Sequence, residues 1–337
     1  MSYITIDNIT SINAELTNYC NAACPMCVRY SIDGKLIQDK VNTQHTTLKF
    51  FKEKLGEVVV KNLTNFTSCG NFGDGVMNPE CLEIYQWLRE INPDIKLRLH
   101  TNGGARNPKF WQEMAMADVT VTFAIDGLED TNHLYRRNVK WSKLIENVKA
   151  FINAGGKAAW DMLIFQHNES QIEQCRSLSK DLGFRIFSVK QSSRWADYDH
   201  EGNWKAYDRI PVDDYFIEKS SQLTAPSVGS GGNSQKEDVT KGYFQTKKIN
   251  CKSFNVKKNF VEIYIAANGD VSPCCWLGDL KLHESRNIID DYKKVNLYNS
   301  TLKEILQGNF FSRLDKGIRG EKDSYRLHTC YATCGVS

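Results

Sequence analysis

Short apolar runs alternate with longer amphipathic segments over the first 190 residues of the chain. The short runs, rich in β-branched and aromatic residues, predict six strands, at 12–16, 63–67, 95–100, 119–125, 158–165 and 184–189. Apolar positions at helical spacing predict five intervening helices, at 47–55, 79–90, 108–116, 141–154 and 169–182. Repeated strand–helix units are typical of an α/β fold with a parallel sheet and right-handed crossovers.

Several predicted helices carry end signals in the sequence. Asn78 and Asn168 precede predicted helices and are expected N-caps, the second in a capping box with Gln171. Gly155 and Gly183 follow predicted helices, where a residue with positive φ is favoured. These signals support the helix boundaries given above.

The alternation is lost between residue 196 and about residue 250. Residues 225–235 are polar and rich in glycine and serine, a composition that does not bury an apolar face. We expect a connector with a mobile loop over 222–240. The sequence leaves open whether this loop is a lid over a substrate or plain disorder.

Regular structure is expected again in the C-terminal part. Two apolar runs flank the pair Asn268-Gly269, which predicts a β-hairpin, and residues 301–308 predict a short helix. We therefore expect three segments: a strand–helix domain over 1–190, a connector over 191–249 and a small α+β domain over 250–337.

Composition limits the classes of partner. The 337 residues include 43 basic and 40 acidic side chains and give a net charge of +3, so no nucleic-acid partner is expected. The N-terminus lacks a signal-peptide pattern, and no window approaches the ~20 apolar residues of a membrane span. Eleven cysteines in so long a chain suit metal ligation in a reducing compartment better than a disulfide scaffold. We expect a cytoplasmic protein that does not enter the membrane.

Three cysteines follow the first predicted strand at the spacing C-x3-C-x2-C: Cys20, Cys24 and Cys27. One loop with three thiolates can hold three irons of a four-iron cluster, whose fourth iron then stays open to another ligand. A structural zinc knuckle is the alternative, because short cysteine spacings also suit tetrahedral zinc.

The spacing resembles the signature of radical S-adenosylmethionine (SAM) enzymes. The resemblance implies a (β/α)6 partial TIM barrel, with the cluster loop after the first strand. It also implies that the open iron binds SAM, which is cleaved to a 5′-deoxyadenosyl radical with an electron from an external donor such as flavodoxin or ferredoxin. Met26 stands where the family usually has an aromatic residue beside the adenine, and a thioether also packs on ring faces.

The segment after the second strand is similar to the family's Gly-Gly-Glu-Pro motif. Asp74 stands in place of the glutamate and Gly75 in place of the proline. Glycines let the backbone approach a ligand, and a carboxylate suits an amino group. The resemblance implies that Gly73 and Asp74, with Asn71 as an addition, hold the amino group of SAM. An ordinary tight turn is the alternative.

Two further strand ends match family motifs. Thr101 and Asn102 resemble the Thr-Asn-Gly turn after the third strand, and Asp126 resembles the aspartate of Ser-x-Asp-Gly after the fourth. Arg136 and Arg137 follow at the position of a family arginine. A guanidinium there would bind the SAM carboxylate in a two-pronged contact. The sequence does not choose between the two arginines, and a solvated pair is the alternative.

Polar residues also end the fifth and sixth strands. His167 and Lys190 are candidates for a substrate acid, base or anchor, although surface roles are more common for such residues.

A second cysteine set lies in the C-terminal part. It consists of Cys251, Cys274 with Cys275 as its alternate, Cys330 and Cys334. The G-x4-C step that ends at Cys274 and the terminal C-x3-C resemble a shortened SPASM domain, called twitch. The resemblance implies one fully ligated auxiliary 4Fe-4S cluster, hence two clusters in all, with structural zinc as the alternative. Cys81 and Cys175 fall on helical patterns and are expected in the core.

The favoured hypothesis is an oxidoreductase that uses SAM radical chemistry for two-electron oxidation of a small polar molecule, with the auxiliary cluster as electron conduit. Peptide-modifying relatives often carry a leader-binding domain before the cluster loop. Since few residues precede Cys20, a small molecule is preferred to a peptide as the expected substrate. An epimerase or a peptide-modifying maturase is the alternative within this class. A zinc-stabilised binding module is the alternative from another class.

Overall fold

The computed structural model describes residues 4–31, 34–37, 43–192, 194–198, 204–222, 248–255, 260–280, 284–321 and 324–336. Its main sheet contains six parallel strands in chain order, which confirms the predicted fold class. These are β1 (Ser11–Ala14), β2 (Asn65–Ser68), β3 (Lys96–Thr101), β4 (Val119–Ala124), β5 (Lys157–Ile164) and β6 (Ile186–Gln191). Each lies beside its neighbour in sequence, as in a partial TIM barrel.

Helices follow these strands along the chain. They are α1 (Leu48–Lys54), α2 (Gly56–Asn62), α3 (Cys81–Ile91), α4 (Pro108–Met116), α5 (Asn132–Tyr135), α6 (Trp141–Asn153) and α7 (Ile172–Leu182). The sequence missed α2 and α5. Gly56, at φ +70°, begins a second short helix directly after α1, where the prediction has one helix that ends at residue 55.

The pleat of the strands separates an apolar face from a polar one. In β5 the even-numbered side chains are buried, among them Trp160, whereas Asp161 points to the opposite face and is partly exposed. On the helix side, Trp111 of α4 packs on Phe123 of β4 and Phe151 of α6, with ring centroids 5.3 and 6.3 Å apart. The opposite face, toward the barrel interior, thus presents polar side chains at several strand positions.

The predicted helix ends are only partly confirmed. Gly155 and Gly183 have φ of +87° and +89°. The two asparagine caps are wrong: α3 begins at Cys81 after Glu80, and Asn168 makes no capping bond to its helix. Its Oδ1, the atom that would accept a capping bond, accepts from Phe165 N at 2.8 Å instead, and its Nδ2 donates to the carbonyl oxygen of Asp126 at 2.9 Å.

The predicted connector contains two small antiparallel pairs. β7 (Ala196–Tyr198) pairs with β8 (Trp204–Ala206), and β9 (Arg209–Val212) pairs with β10 (Tyr215–Glu218). The predicted mobile loop over 222–240 lies outside the described residues, apart from residue 222.

The C-terminal part joins the main sheet, which the sequence did not predict. β13 (Phe260–Ile265) lies parallel to β1, with Ser11 opposite Glu262 and Ala14 opposite Ile265. The predicted hairpin is confirmed, since β13 pairs with β14 (Val271–Ser272), and Gly269 in its turn has φ +85°. β12 (Phe254–Asn255) pairs with the outer side of β13. The sheet is therefore continuous between the first and third predicted segments.

Three helices complete this part: α8 (Leu302–Gln307), α9 (Asn309–Arg319) and α10 (His328–Cys334). The predicted helix over 301–308 corresponds to α8, which Thr301 and Glu304 begin with a reciprocal capping box. Lys248–Ile249, which forms β11, pairs with β15 (Gly335–Val336). Within the described ranges, every helix is too short or too polar to cross a membrane.

Candidate functional site

The cysteine loop follows β1 and is folded by its own backbone. Cys27 N donates to the carbonyl of Cys24 at 3.0 Å, and Tyr30 N donates to that of Cys27 at 2.9 Å. These turns place the three thiols in one short segment. All three are free thiols, and Cys24 is buried.

Each of the three sulfurs faces a different nitrogen donor. Arg29 Nε lies 3.4 Å from the sulfur of Cys27. Asn102 Nδ2 lies 3.7 Å from Cys20 Sγ, and Arg136 Nη1 lies 3.7 Å from Cys24 Sγ. Arg29 is itself buried, and its guanidinium also donates to the carbonyl of Ala22. The sequence did not single out Arg29, although a basic residue two positions after the third cysteine was a usable signal.

Burial and positive charge act in opposite directions on these thiols. Burial raises the pKa of Cys20 and of Cys24, whereas Arg29 lowers the pKa of the first and Arg136 that of the second. Hydrogen bonds to thiolate sulfur stabilise the charge of an iron–sulfur cluster. The donor set therefore fits a cluster bound by three thiolates.

The described residues contain no group of three or more His, Cys, Asp or Glu side chains arranged around one metal ion. Each thiolate of a four-iron cluster binds a different iron, so its ligands stand farther apart than those of one zinc ion.

Asp74 connects the loop after β2 to the turn after β3. Its Oδ2 accepts from Thr101 Oγ1 at 2.9 Å, from Asn102 N at 2.8 Å and from Asn102 Nδ2 at 2.7 Å. Burial raises the pKa of Asp74, and these hydrogen bonds oppose the shift. Because Asn102 also faces Cys20, three residues predicted separately meet beside the cysteine loop.

Gly73 is placed where no side chain fits. A Cβ there would lie 1.9 Å from the carbonyl oxygen of Thr17. The next residue, Asp74, donates from its backbone N to Tyr19 O at 3.0 Å. The loop after β2 therefore runs directly against the segment that leads into the cysteine loop, and glycine is required for this approach.

The side chain of Asn71 contacts a different part of the molecule from Gly73 and Asp74. Its Nδ2 donates to the carbonyl oxygen of Cys275 at 2.8 Å, so the side chain is bound to the C-terminal part. A contact of Asn71 with SAM thus has no support in the geometry.

The structure distinguishes the two arginines. Arg136 Nε lies 2.6 Å from Asp126 Oδ2, and the side chain of Arg136 is 16% exposed. Arg137 pairs instead with Asp213, and both of those side chains are more exposed. Burial raises the pKa of Asp126 and the charge of Arg136 opposes that shift. Of the two guanidinium groups, that of Arg136 is the one beside a cysteine sulfur, at 3.7 Å from Cys24 Sγ.

Met26 is buried, and its carbonyl oxygen accepts from Arg194 Nη1 at 3.2 Å.

His167 lies in an aromatic cluster, stacked on Phe165 with centroids 5.5 Å apart. Neither ring nitrogen of His167 has a partner among the described residues, and burial lowers its pKa to about 4. Tyr135 continues this cluster, with its ring centroid 4.5 Å from that of Phe165. His167 is thus a neutral ring in an aromatic environment.

Lys190 forms an ion pair with Asp161 on the neighbouring strand. The Lys190 and Asp161 side chains are 30% and 20% exposed. Both charges act on two partly buried groups: His100 in β3 and Cys69, which directly follows β2. The barrel interior therefore carries a charged group at the predicted position of Lys190, with partners that the sequence did not identify.

The second cysteine set surrounds a cavity of about 230 Å³ in the C-terminal part. Its lining includes Cys251, Cys274, Cys275, Cys330 and Cys334. The thiols of Cys251 and Cys334 are hydrogen-bonded to each other, which raises the pKa of Cys251 and lowers that of Cys334. Burial is the largest cause that raises the pKa of Cys274, and the neighbouring Cys275 and Cys330 raise it further. Burial also raises the pKa of Cys275, where the neighbouring groups that add to the shift are Cys69 and Glu262. Cys274 is therefore grouped with the other cysteines of the set, and Cys275 neighbours the barrel.

Comparisons with known proteins agree with these observations. The Radical SAM superfamily model matches residues 14–177, and the SPASM model, an iron–sulfur cluster-binding domain, matches residues 257–335. The search of curated proteins gives no match.

Solved structures share the fold at low identity. SuiB of Streptococcus suis is 14% identical, with a TM-score of 0.59, and the alignment covers 93% of this chain and 69% of SuiB. SuiB bound to its precursor peptide SuiA is 13% identical, with a TM-score of 0.57 and coverage of 96% and 70%. The protein anSMEcpe, with bound AdoMet and the Cp18Cys peptide, is 13% identical, with a TM-score of 0.52 and coverage of 96% and 94%. The chain belongs to the radical SAM superfamily, with SAM and iron–sulfur clusters as cofactors, and it carries a SPASM-type cluster-binding domain.

Proposed function

We propose that this radical SAM enzyme removes hydrogen from a C–H bond of a polar substrate and completes a two-electron oxidation. The observation that carries the proposal is the pairing of two cysteine sets. One is a three-thiol loop in which every sulfur faces its own nitrogen donor. The other is a set of five cysteines that line one cavity in the adjoining domain, enough to supply the four thiolates of a second cluster.

In this proposal Cys20, Cys24 and Cys27 hold the cluster that binds SAM. When bound and reduced, that cluster supplies the electron that cleaves SAM to a 5′-deoxyadenosyl radical. Asp74 keeps Thr101 and Asn102 in place beside Cys20 and, with Gly73, faces the SAM amino group. Arg136, held by Asp126, binds the SAM carboxylate, and Met26 packs near the adenine. The donor of the external electron is a flavodoxin or ferredoxin.

Cys251, Cys274, Cys330 and Cys334 hold an auxiliary 4Fe-4S cluster of the twitch type. Because four thiolates would leave no iron open to a substrate, a cluster held there would supply electron transfer and take up the second electron of the oxidation.

The substrate presents a polar group to Lys190 and Asp161. The remaining N–H groups of Lys190 and the second oxygen of Asp161 offer a donor and an acceptor side by side. The expected preference for a small molecule depended on the short segment before Cys20. Two similar proteins, SuiB and anSMEcpe, are solved with peptides bound, so we favour a peptide as the substrate.

Anaerobic reconstitution and SAM cleavage test the proposal. The wild-type protein should be brown, bind close to eight irons per chain as two four-iron clusters, and release 5′-deoxyadenosine from SAM with dithionite. Cys24→Ala should lose about four irons and the cleavage. Cys81→Ala, which changes a buried cysteine of α3, is the matched control and should retain both. A colourless protein that binds zinc would overturn the proposal.

Epimerisation is the second candidate, because Cys69 places a partly buried free thiol within the electrostatic influence of Lys190 and Asp161. A thiol there would give a hydrogen atom to the substrate radical and become a thiyl radical, which one electron through the auxiliary cluster and a proton from solvent would restore to the thiol. An oxidised product would be about 2 Da lighter and carry no deuterium from D2O. An epimerised product would keep its mass in H2O and gain one deuterium in D2O, and Cys69→Ala would abolish that gain.

A further inference from the structure

Glu15 is a buried carboxylate at the end of β1 that the proposed chemistry does not use. It is 1% exposed. Its Oε1 accepts from the backbone nitrogens of Phe72 and Gly73, the latter at 3.1 Å. A buried carboxylate is costly unless it is hydrogen-bonded, so these contacts are required for its place in the fold. Glu15 thereby orients two amides of the loop after β2.

The other oxygen of Glu15 binds the C-terminal part. Tyr264 Oη donates to Glu15 Oε2 at 3.1 Å, and Tyr264 is fully buried on β13. A Cβ at Gly278 would lie 2.6 Å from Tyr264 Cε1, so the ring is packed against the turn that follows Cys275. One carboxylate thus connects the loop after β2 with the domain that carries the second cysteine set.

A second, independent bond joins the same two regions. Asn71 Nδ2 donates to Cys275 O at 2.8 Å, and Cys275 is adjacent to the proposed ligand Cys274. At its other end the loop contacts residues 17–19, which lead into the cysteine loop. Gly73 lies close to Thr17, and Asp74 N donates to Tyr19 O. The loop 71–74 is therefore held on one side by the segment before the cysteine loop and on the other by the C-terminal part that carries the second cysteine set, here called the auxiliary domain.

We propose that Glu15 and Tyr264 are positioning residues, through which the auxiliary domain fixes the SAM-binding loop 71–74 in its binding geometry. This inference rests on the proposed function of that loop. Since Tyr264 bonds to the carboxylate that orients Phe72 and Gly73, order in the auxiliary domain and affinity for SAM are coupled. The coupling is reciprocal, as linkage requires.

Tyr264→Phe is the direct test, because it removes the hydroxyl and keeps the ring. A net buried hydrogen bond corresponds to a change of about threefold to tenfold in an equilibrium constant. SAM affinity, measured by calorimetry on the reconstituted enzyme, should fall by about that factor, with iron content unchanged. The control is Tyr292→Phe, whose hydroxyl bonds to Leu280 in the same part of the chain. It should leave SAM affinity as in the wild type.

Amide hydrogen exchange gives a readout that does not need SAM. The amides of Phe72 and Gly73 should exchange faster in Tyr264→Phe than in the wild type or in Tyr292→Phe, because their acceptor loses its anchor. Unchanged protection of these two amides together with unchanged SAM affinity would overturn the inference. Should Tyr264→Phe fail to fold, Asn71→Ala removes the second bond and is expected to act in the same direction.

A double-mutant cycle tests the coupling itself. Cys334→Ala, which removes a proposed ligand of the auxiliary cluster, should weaken SAM binding more in the wild-type background than in Tyr264→Phe. Strictly additive effects would overturn the coupling. A wild-type enzyme that binds no SAM would instead contradict the proposed function. A wild-type enzyme that binds SAM, with an indifferent Tyr264→Phe, would contradict this inference alone.

Discussion

Arg136 and Asp126 form a buried ion pair, with 2.6 Å between Nε and Oδ2 and no exposure of the Asp126 side chain. The pair joins α5 to the end of β4, and its guanidinium also reaches Cys24. Arg137, the next residue, turns outward to Asp213. Two adjacent arginines with the same sequence signal therefore have different environments.

Replacing Arg136 should be far more damaging than replacing Arg137. Arg136→Ala leaves the Asp126 carboxylate buried without its partner, which costs about 3–5 kcal/mol. Arg137→Ala removes an exposed pair worth about 1 kcal/mol or less. Thermal unfolding of the reconstituted proteins measures the difference, and SAM binding should be lost only with Arg136→Ala. Equal losses in the two variants would contradict the assignment.

Cys274 and Cys275 should differ in their effect on iron content. Cys274 is grouped with Cys251, Cys330 and Cys334, whereas Cys275 neighbours the barrel. Cys274→Ala should therefore lower the iron content from about eight to about four per chain, and Cys275→Ala should leave it near eight. Iron and acid-labile sulfide assays check this on proteins reconstituted in parallel. Loss of iron in the second variant only would exchange the two roles.

Much of this site was predictable because its signals are local. The C-x3-C-x2-C loop, the glycines at helix ends and the strand order depend on residues close in sequence, and the structure contains them. Asp74, Thr101 and Asn102 were predicted separately from strand ends. They meet because the carboxyl ends of parallel strands lie at one edge of the sheet.

The remaining features depend on contacts between distant residues. The pairing of β13 with β1 joins segments about 250 residues apart, as the bond from Ser11 Oγ to Glu262 Oε2 illustrates, and parallel pairing has no turn signal in sequence. The sequence groups Asn71 with the loop motif, but its amide is used by a carbonyl of the C-terminal part. Asn168 has the sequence context of a cap and instead binds Asp126. In each case a contact with a residue distant in sequence decides the position, and the local pattern does not contain it.

Gly73→Ala should disrupt the SAM site because the new Cβ would lie 1.9 Å from Thr17 O. Backbone on both sides must shift, at a cost of about 1–3 kcal/mol or more, and SAM affinity should fall at least about tenfold. Gly155→Ala is the matched control. No atom lies within 4 Å of the position that its new Cβ would take, but φ is +87°, so strain alone should cost about 1 kcal/mol. SAM affinity should then be unchanged; an equal loss in both variants would show that the Gly73 effect is not local.

Glu15 should make the folded protein less stable as the pH rises through the weakly acidic range. Burial raises its pKa from the ordinary 4.5 to about 7, against opposing hydrogen bonds from Phe72, Tyr264, Gly73 and Ala267. Between these values the folded state keeps a proton that the unfolded chain releases. The stabilisation is therefore complete below about pH 4.5 and lost above about pH 7.

Comparison with Glu15→Gln isolates this effect from Asp74, Asp126 and Glu262, whose pKa values burial also raises. The substituted amide is neutral at every pH, so the stability of the wild type relative to Glu15→Gln should fall by on the order of 3 kcal/mol between pH 4.5 and pH 8. Unfolding of both proteins, in the same metal-loading state, at pH 5, 6, 7 and 8 measures the change. Parallel profiles would mean that Glu15 keeps an ordinary pKa in the fold, and that its hydrogen bonds to Phe72 and Tyr264 fully offset burial.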